Sequence, residues 1–523
     1  MTGGTAAVTV SAPMIQIESF VAGRWLAGDG ESRAVHDPTT ERELGAVRQA
    51  GIDFASVLRH AREVGSPALR RQGFRGRAAL LKALSALIHD HRDELLDLST
   101  ENGGNTRSDG KFDVDGASGT LAAYAKLGEE LPEGNLLLDG DAAQLGRTPR
   151  FSGQHVLTPR LGVALHINAF NFPVWGMGEK MAQALLAGVP VIEKPGTASA
   201  LVAHRLARII ADSGILPEGS FQFVAGSVAS MLDELTAQDS VAFTGSSATA
   251  AAIRGNANLV RRNVRVTIEA DSVNAAILGP DVEADSDTFG QFLANIVTDV
   301  TQKAGQKCTA VRRILVPQAA LRAVEEALIE ALTAVCVGDP REPRTRMGPV
   351  ASRAQFATVR EGIDRLAGAA EILCGGSQPA REKGWFLAPT LLRARDPAAP
   401  VLHQEEVFGP CATLFPYDGT ADAAASLANL GGGGLVASLY TDDRAFLEPL
   451  VRAIAPWHGR VWIGSEKTLG QALGPGAVLP QSVHGGPGRA GGGEELGGLR
   501  GLALYLQRTA LQGDRSVLAR SFG

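Results

Sequence analysis

Apolar residues recur at helical spacing at Leu80, Leu81, Leu84, Leu87, Ile88, Leu95 and Leu96, which predicts an amphipathic packing helix stopped by Gly103-Gly104. From about residue 160 the pattern changes: short β-rich runs at 162–170, 190–193, 221–225, 241–244 and 264–269 alternate with helical stretches at 175–187, 198–213 and 228–235. Such alternation predicts a parallel sheet with helices on both faces. Ligands of these sheets bind beyond the carboxyl ends of the strands. Lys194, Gly226, Gly245 and Glu269 all stand at or just after such ends. A second α/β region spans about 281–482, with helices at 287–300 and 319–335 and a glycine turn, Gly431 to Gly434, opening a strand at 435–440. The segment Gly486-Pro-Gly488-Arg-Ala-Gly491 is formally a GxGxxG. No strand precedes it and further glycines follow where a helix should open, so it reads as a mobile loop. Residues 1–14 read as a loose tail of small and polar residues, and no internal repeat is visible.

At 523 residues the chain predicts two or three domains. A net charge of −6 gives no reason to expect a nucleic-acid partner. The four cysteines, Cys308, Cys336, Cys374 and Cys411, form no CxxC and have no His-rich companion spacing. That argues against a disulfide framework or a metal site and for a reducing compartment. No Lys or Arg precedes the apolar residues of the first fourteen, and no apolar run approaches the length of a membrane span. A cytoplasmic protein with no membrane partner is expected.

Two residues carry the candidate chemistry. Cys308 lies in Ala304-Gly-Gln-Lys-Cys308-Thr-Ala310, and Glu269 ends the apolar run Val266-Thr-Ile-Glu269. A thiol nucleophile with a separate carboxylate base can form an acyl-enzyme and then hydrolyse it. Alone, the cysteine would be a small buried hydrophobe and the glutamate a surface charge. Asn171, in His166-Ile-Asn-Ala-Phe-Asn171-Phe-Pro173, reads as a turn residue or as an amide donor to a developing oxyanion. Lys194 could reach a ribose or phosphate. Gly245-Ser246 opens a helix whose free N–H groups suit a pyrophosphate. In Glu405-Glu406-Val-Phe408-Gly-Pro410 a carboxylate can accept from ribose hydroxyls while the ring packs on a flat partner.

In this order and approximate spacing these motifs resemble the aldehyde dehydrogenase superfamily, over about residues 18–515. The resemblance implies an α/β aldehyde dehydrogenase fold. Residues 1–147 and 168–280 would form a Rossmann-like cofactor domain, and 281–482 an α/β catalytic domain. Residues 148–167 and 499–523 would be β-hairpin oligomerisation segments, with 483–498 a Gly-rich loop. A homodimer or a dimer of dimers follows. Cys308 matches the nucleophile, Glu269 the base and Asn171 the oxyanion donor, while Lys180 and Glu495 match a proton exit route. Phe170, Lys194, Thr197, Gly226, Gly245, Ser246, Glu406 and Phe408 match cofactor contacts. Thr197 stands where many NAD-using members carry a glutamate that would repel a 2′-phosphate, so NADP is expected, with NAD the weaker alternative. The helix after Gly245 also departs, with Ala250 where many members have glycine. The segments Asn168–Met177, Glu269–Asn274 and His484–Gly498 resemble a branch that oxidises CoA-linked semialdehydes in aromatic-ring breakdown. With no residues left for a hydratase-like domain after Gly523, the stand-alone form is expected. The rival readings are an NAD-preferring enzyme for free aldehydes, a cofactor-independent cysteine esterase and a non-catalytic binding protein of the same fold.

Overall fold

Two seven-stranded sheets carry most of the chain in the computed structural model, which describes residues 14–48 and 51–522. The first runs in the order Arg265–Glu269, Ser240–Thr244, Ala164–Ile167, Val191–Lys194, Phe221–Phe223, Ser19–Val21, Arg24–Leu26. Its first five strands are parallel, and the last two pair antiparallel. From Ala164–Ile167 the chain first moves outward to Val191–Lys194 and Phe221–Phe223, then crosses to Ser240–Thr244 on the other side. That reversal makes a crevice at the carboxyl edge, the place where doubly wound sheets bind ligands.

The helix Trp175–Ala187 fills the space behind this edge. It is buried on nearly all sides, Glu179 and Lys180 included, and ends at Gly188 in the left-handed region, φ 89°. A helix buried all round belongs to a core rather than a surface. It packs in one core with the helices Ser66–Asp90 and Arg107–Glu129. The single amphipathic helix expected around 80–103 is two: Ser66–Asp90 and Arg92–Gly103, broken at His91 and closed by Gly104 at φ 67°. Helical periodicity continues across the break because both halves bury their leucines in the same core. The expected helix at 228–235 is a 3₁₀ segment, Ala229–Glu234.

The second sheet is ordered Ala370–Cys374, Thr390–Ala394, Cys411–Tyr417, Val311–Pro317, Asn274–Leu278, Gly434–Tyr440, His458–Gly464. All pairs are parallel except the first. The fully buried Asn274–Leu278 is thus a central strand here, and the change of sheet falls just after Glu269 rather than at 280. No composition shift marks it, because strands buried on both faces in either sheet look alike.

A three-stranded antiparallel sheet sets Phe151–Pro159 between Leu506–Asp514 and Leu137–Gln144. The expected pairing of two segments therefore gains a third strand from 137–144. Ala164–Ile167, grouped by sequence with the oligomerisation segments, sits inside the first large sheet. The Gly-rich stretch is not an open loop. Val483–Gly485 pairs with Glu494–Leu496, and a 3₁₀ turn, Gly488–Ala490, lies between them. The segment docks on the end of the strand Arg265–Glu269: Gly493 N–H donates to Ile268 O at 3.0 Å and Ala270 N–H to Ala490 O at 2.9 Å. A Cβ on Gly491 or Gly493 would stand 2.3 or 2.4 Å from Ile268 O, so these glycines serve close backbone approach. Residues 1–13 of the expected N-terminal tail lie outside the described residues. Among the described residues no helix is long and apolar enough to cross a membrane.

Gly493→Ala should lower stability by about 1–3 kcal/mol, the cost of overpacking against rigid backbone. Gly119→Ala, on an exposed helix face with no atom within 4 Å of the added Cβ, should raise stability by roughly 0.5–1 kcal/mol. Thermal and denaturant melts of both variants check the pair; a Gly493→Ala protein as stable as the parent would contradict the docking geometry.

Candidate active site

Cys308 is delivered by a strained turn that precedes the strand Val311–Pro317. Three successive residues, Lys303, Ala304 and Gly305, lie in the left-handed region at φ 54°, 51° and 68°. Such a run persists only where surroundings over-determine it. Here the Arg312 guanidinium donates to Gly305 O at 2.8 Å, Lys307 O at 3.2 Å and Gly409 O at 2.8 Å. Asn274 Nδ2 donates to Cys308 O at 2.7 Å and Ala310 O at 2.9 Å. Asn171 Nδ2 donates to Gln306 O at 3.1 Å. Lys307 Nζ is fixed between Asp299 and Gln302. Three separated parts of the chain thereby set the position of one thiol.

Glu269, at the carboxyl end of its strand and 3% exposed, meets Cys308 from the first sheet. Cys308, Glu269, Asn171 and Lys180 line one small cavity together with Phe172, Trp175, Glu179 and Thr244. Sequence-expected residues from four separate segments are thus in one place. Glu495 joins through Lys180, whose Nζ donates to Glu495 Oε2 at 3.0 Å, Glu179 Oε1 at 3.0 Å and Thr244 Oγ1 at 2.8 Å. This buried network runs from the cavity wall to the Gly-rich hairpin.

Sequence reasoning missed His484. It lies on the hairpin strand Val483–Gly485, 3% exposed, with its ring against Trp175 at 5.7 Å. Its Nε2 is 3.2 Å from Glu269 Oε2 and 3.9 Å from Cys308 Sγ. In the sequence it is only the first residue of the branch-like segment His484–Gly498, which periodicity cannot connect to a strand end so far upstream. Asn274 and Arg312 were also missed as tethers of the cysteine turn, since each looks like an ordinary strand residue.

Electrostatics of the cluster follow from burial and these neighbours. Burial pushes the Cys308 thiol well above its ordinary value, and the Glu269 carboxylate beside it adds to the rise. Burial would raise Glu269 too, but the charge and hydrogen bond of His484, then the Lys180 charge, outweigh it and hold the carboxyl below its usual range.

On the cofactor side, a cavity of about 740 Å³ opens at the strand ends, lined by Lys194, Thr197, Gly226, Val228, Ile253 and, at its rim, Glu31 and Arg33. That volume suits a small-molecule ligand. Burial, then the nearby Arg33 charge, lowers Lys194 to about 8. Gly245 and Ser246 do not line this cavity; the helix they open does, through Thr249 and Ile253. The Ser246 side chain is engaged as that helix's cap, accepting from Thr249 N–H at 3.3 Å. Ala250 is buried in the core beneath. Phe170 and Phe408 face each other edge-on at 6.0 Å, with the Arg312 guanidinium 5.6 Å from the Phe408 ring. Burial raises Glu406 to about 7 against the pull of Arg312. A large cavity at the sheet's reversal, a half-buried lysine, a helix start and a pair of aromatic rings fit the parts of a nicotinamide dinucleotide.

The chain is similar to proteins of known activity over nearly its whole length. It is 44% identical over 480 residues to 3,4-dehydroadipyl-CoA semialdehyde dehydrogenase from Aromatoleum evansii, covering 90% of this chain and 93% of that one. It is 30% identical over 431 residues to geranial dehydrogenase from Castellaniella defragrans, covering 81% and 86%. In fold it matches betaine aldehyde dehydrogenase from Staphylococcus aureus, solved with NAD+, at a TM-score of 0.84 and 24% identity over 96% of this chain and 95% of that one. An NADP-dependent enzyme of Escherichia coli matches at a TM-score of 0.82 and 25% identity, over 95% and 98%. The family described as "Aldehyde dehydrogenase family" matches residues 25–509, and this chain belongs to it as an NAD(P)-dependent aldehyde oxidoreductase.

Proposed function

We propose that this enzyme oxidises a CoA-linked semialdehyde, 3,4-dehydroadipyl-CoA semialdehyde in particular, to its carboxylic acid during aerobic benzoate breakdown. NADP is the preferred hydride acceptor and NAD the weaker one. The observation that carries the chemistry is the single cavity shared by a thiol, a carboxylate and an amide donor, Cys308, Glu269 and Asn171. The substrate class is supported by the name of the Aromatoleum relative and the 44% identity to it.

In this reading the Cys308 sulfur attacks the aldehyde carbon. The oxyanion that forms lies towards the Cys308 backbone N–H and Asn171, whose amide has two N–H bonds and uses one on Gln306. NADP, when bound, supplies the hydride acceptor. Lys194 and Thr197 would hold its adenosine end, Gly226 and the helix opened by Gly245-Ser246 its phosphates, and Phe170, Glu406 and Phe408 its nicotinamide ribose. The chain is left with a thioester on Cys308. Glu269 then takes a proton from water, which attacks the thioester and releases the acid. A base in this position favours hydrolysis over transfer to a thiol, so the substrate's own CoA thioester survives. Lys180 and Glu495 carry the released proton away through their buried network. The threonine at 197 puts no carboxylate at that position against a 2′-phosphate, and Arg33 adds a cation on a cavity wall that also carries Glu31. The sheet containing Phe151–Pro159 and Leu506–Asp514 is the element by which copies associate, as a homodimer or a dimer of dimers in the cytoplasm.

Purified enzyme should convert the CoA-linked semialdehyde with a higher kcat/KM than the corresponding free aldehyde, read by NADPH absorbance and by mass of an acid that keeps its CoA; preference for the free aldehyde sinks the substrate assignment. Glu269→Gln should keep a single rapid burst of NADPH but slow steady-state turnover by about 10²–10⁴-fold. A burst lost in proportion to turnover would assign Glu269 to the first half-reaction instead. Thr197→Glu should move the NADP-to-NAD ratio of kcat/KM at least about tenfold towards NAD, because like charges then face each other at the 2′ position.

A further inference from the structure

Asn168 lines the catalytic cavity beside Cys308, Asn171 and Glu269, and the chemistry above gives it no part. It is buried, and among the described residues its Oδ1 has no hydrogen-bond partner. The amide is not free to turn and find one. Its Nδ2 donates to Glu193 Oε2 at 2.7 Å. Glu193 Oε1 lies 2.6 Å from His166 Nδ1, and His166 Nε2 lies 3.1 Å from Tyr505 OH. Turning the amide over would set its oxygen against the Glu193 oxygens. Glu193 stands on the strand Val191–Lys194, to one side of Asn168, so the free Oδ1 is turned to the other side, where Ser240–Thr244 and Arg265–Glu269 run. A Cβ on Gly176, which also lines the cavity, would lie 3.8 Å from this oxygen.

A second acceptor on the same wall is in the same condition: Glu269 Oε1 has no hydrogen-bond partner among the described residues. Ile167 is in register with Phe243, and Thr244 with Glu269, so Asn168, Thr244 and Glu269 form one row at the carboxyl edge of three adjacent strands. The protein donors close by are spent. Lys180 gives its three N–H bonds to Glu179, Glu495 and Thr244, and the Glu179 carboxyl is engaged with Lys180 and Glu495. The cavity these residues enclose has a volume of about 20 Å³, room for roughly one water. Water brings two O–H donors to two acceptors and keeps its own lone pairs.

We propose that Asn168 is a catalytic residue: it holds the hydrolytic water jointly with Glu269, Asn168 Oδ1 accepting one O–H and Glu269 Oε1 the other, so that a lone pair on the water oxygen faces the thioester carbon on Cys308. In the hydrolytic step the water oxygen forms the C–O bond to that carbon. The O–H on the Glu269 side breaks, and its proton goes to Glu269. The C–S bond breaks with its electron pair on sulfur. The O–H held by Asn168 stays intact and leaves as the hydroxyl of the product acid, which then ionises and returns a proton to the thiolate. The buried chain Glu193, His166 and Tyr505 keeps the Asn168 acceptor aimed and takes no part in the bond changes. This inference rests on the thioester reading above.

The test separates formation of the acyl-enzyme from its decay. Parent and Asn168→Ala enzymes are mixed with NADP and a short aliphatic aldehyde and quenched over a time course. Acylated Cys308 is read by mass spectrometry and NADPH by absorbance. Acylation should proceed in the variant as in the parent, while decay of the acyl-enzyme slows about tenfold, the effect of one hydrogen bond to the attacking water. Hydroxylamine, which brings its own nucleophile, should discharge both acyl-enzymes at the same rate, an outcome that a general loosening of the site would not give. Equal slowing of formation and decay, decay at the parent rate, or a variant acyl-enzyme as resistant to hydroxylamine as to water overturns the proposal. A parent that never acylates Cys308 fails the thioester reading, and this proposal with it. Should Asn168→Ala not fold, the parent decides: its crystal structure should show an ordered water within hydrogen-bond distance of both Asn168 Oδ1 and Glu269 Oε1, and a water on Glu269 alone, or none, overturns the assignment.

Discussion

An ionised carboxylate in a nearly dry site is the constraint around which this molecule is arranged. Glu269 is 3% exposed, and among the described residues one of its oxygens, Oε1, has no hydrogen-bond partner. Burying such a charge costs several kcal/mol unless opposite charge and hydrogen bonds offset it. The compensation comes from two directions, His484 on the hairpin and Lys180 on the fully buried helix. Both directions lead to the hairpin 483–496, because Glu495 fixes Lys180 from the strand opposite His484. Removing that compensation would neutralise the base and with it the hydrolytic half of the chemistry.

The thiol poses the opposite difficulty. Placing a carboxylate beside a sulfur opposes its ionisation, so the turn that carries Cys308 has to be held against the resulting preference for the neutral form. The left-handed run Lys303–Gly305 and the tethers from Arg312, Asn274 and Asn171 do this by fixing the backbone rather than the side chain. Gly305 belongs to the same solution: a Cβ there would stand 2.2 Å from Gly409 O, in the segment that also carries Glu406 and Phe408. Nucleophile turn and cofactor wall are therefore packed as one unit, and their relative position is not adjustable by a loop.

Much of the fold was legible because it is local. The alternation from Ala164 to Glu269 follows from period-two and helical spacing of apolar residues, and the helix Trp175–Ala187 matches its apolar run residue for residue. Where two helices share one core the signal blurred, and Ser66–Asp90 and Arg92–Gly103 merged into one expected helix; the strand Asn274–Leu278, buried on both faces, carries no mark of which sheet it joins.

For the site, the sequence by itself determined the chemical inventory: a cysteine turn, a strand-end glutamate, an amide after a strand, a lysine beside a cavity-forming edge. Those residues sit in short motifs whose local geometry is set by near neighbours. Only the tertiary structure decided that His484 joins them and that the glycines around it are packing surfaces instead of slack. Contact between a hairpin and a strand end far upstream leaves no period in the chain, and a missing Cβ acquires meaning only when another backbone lies against it.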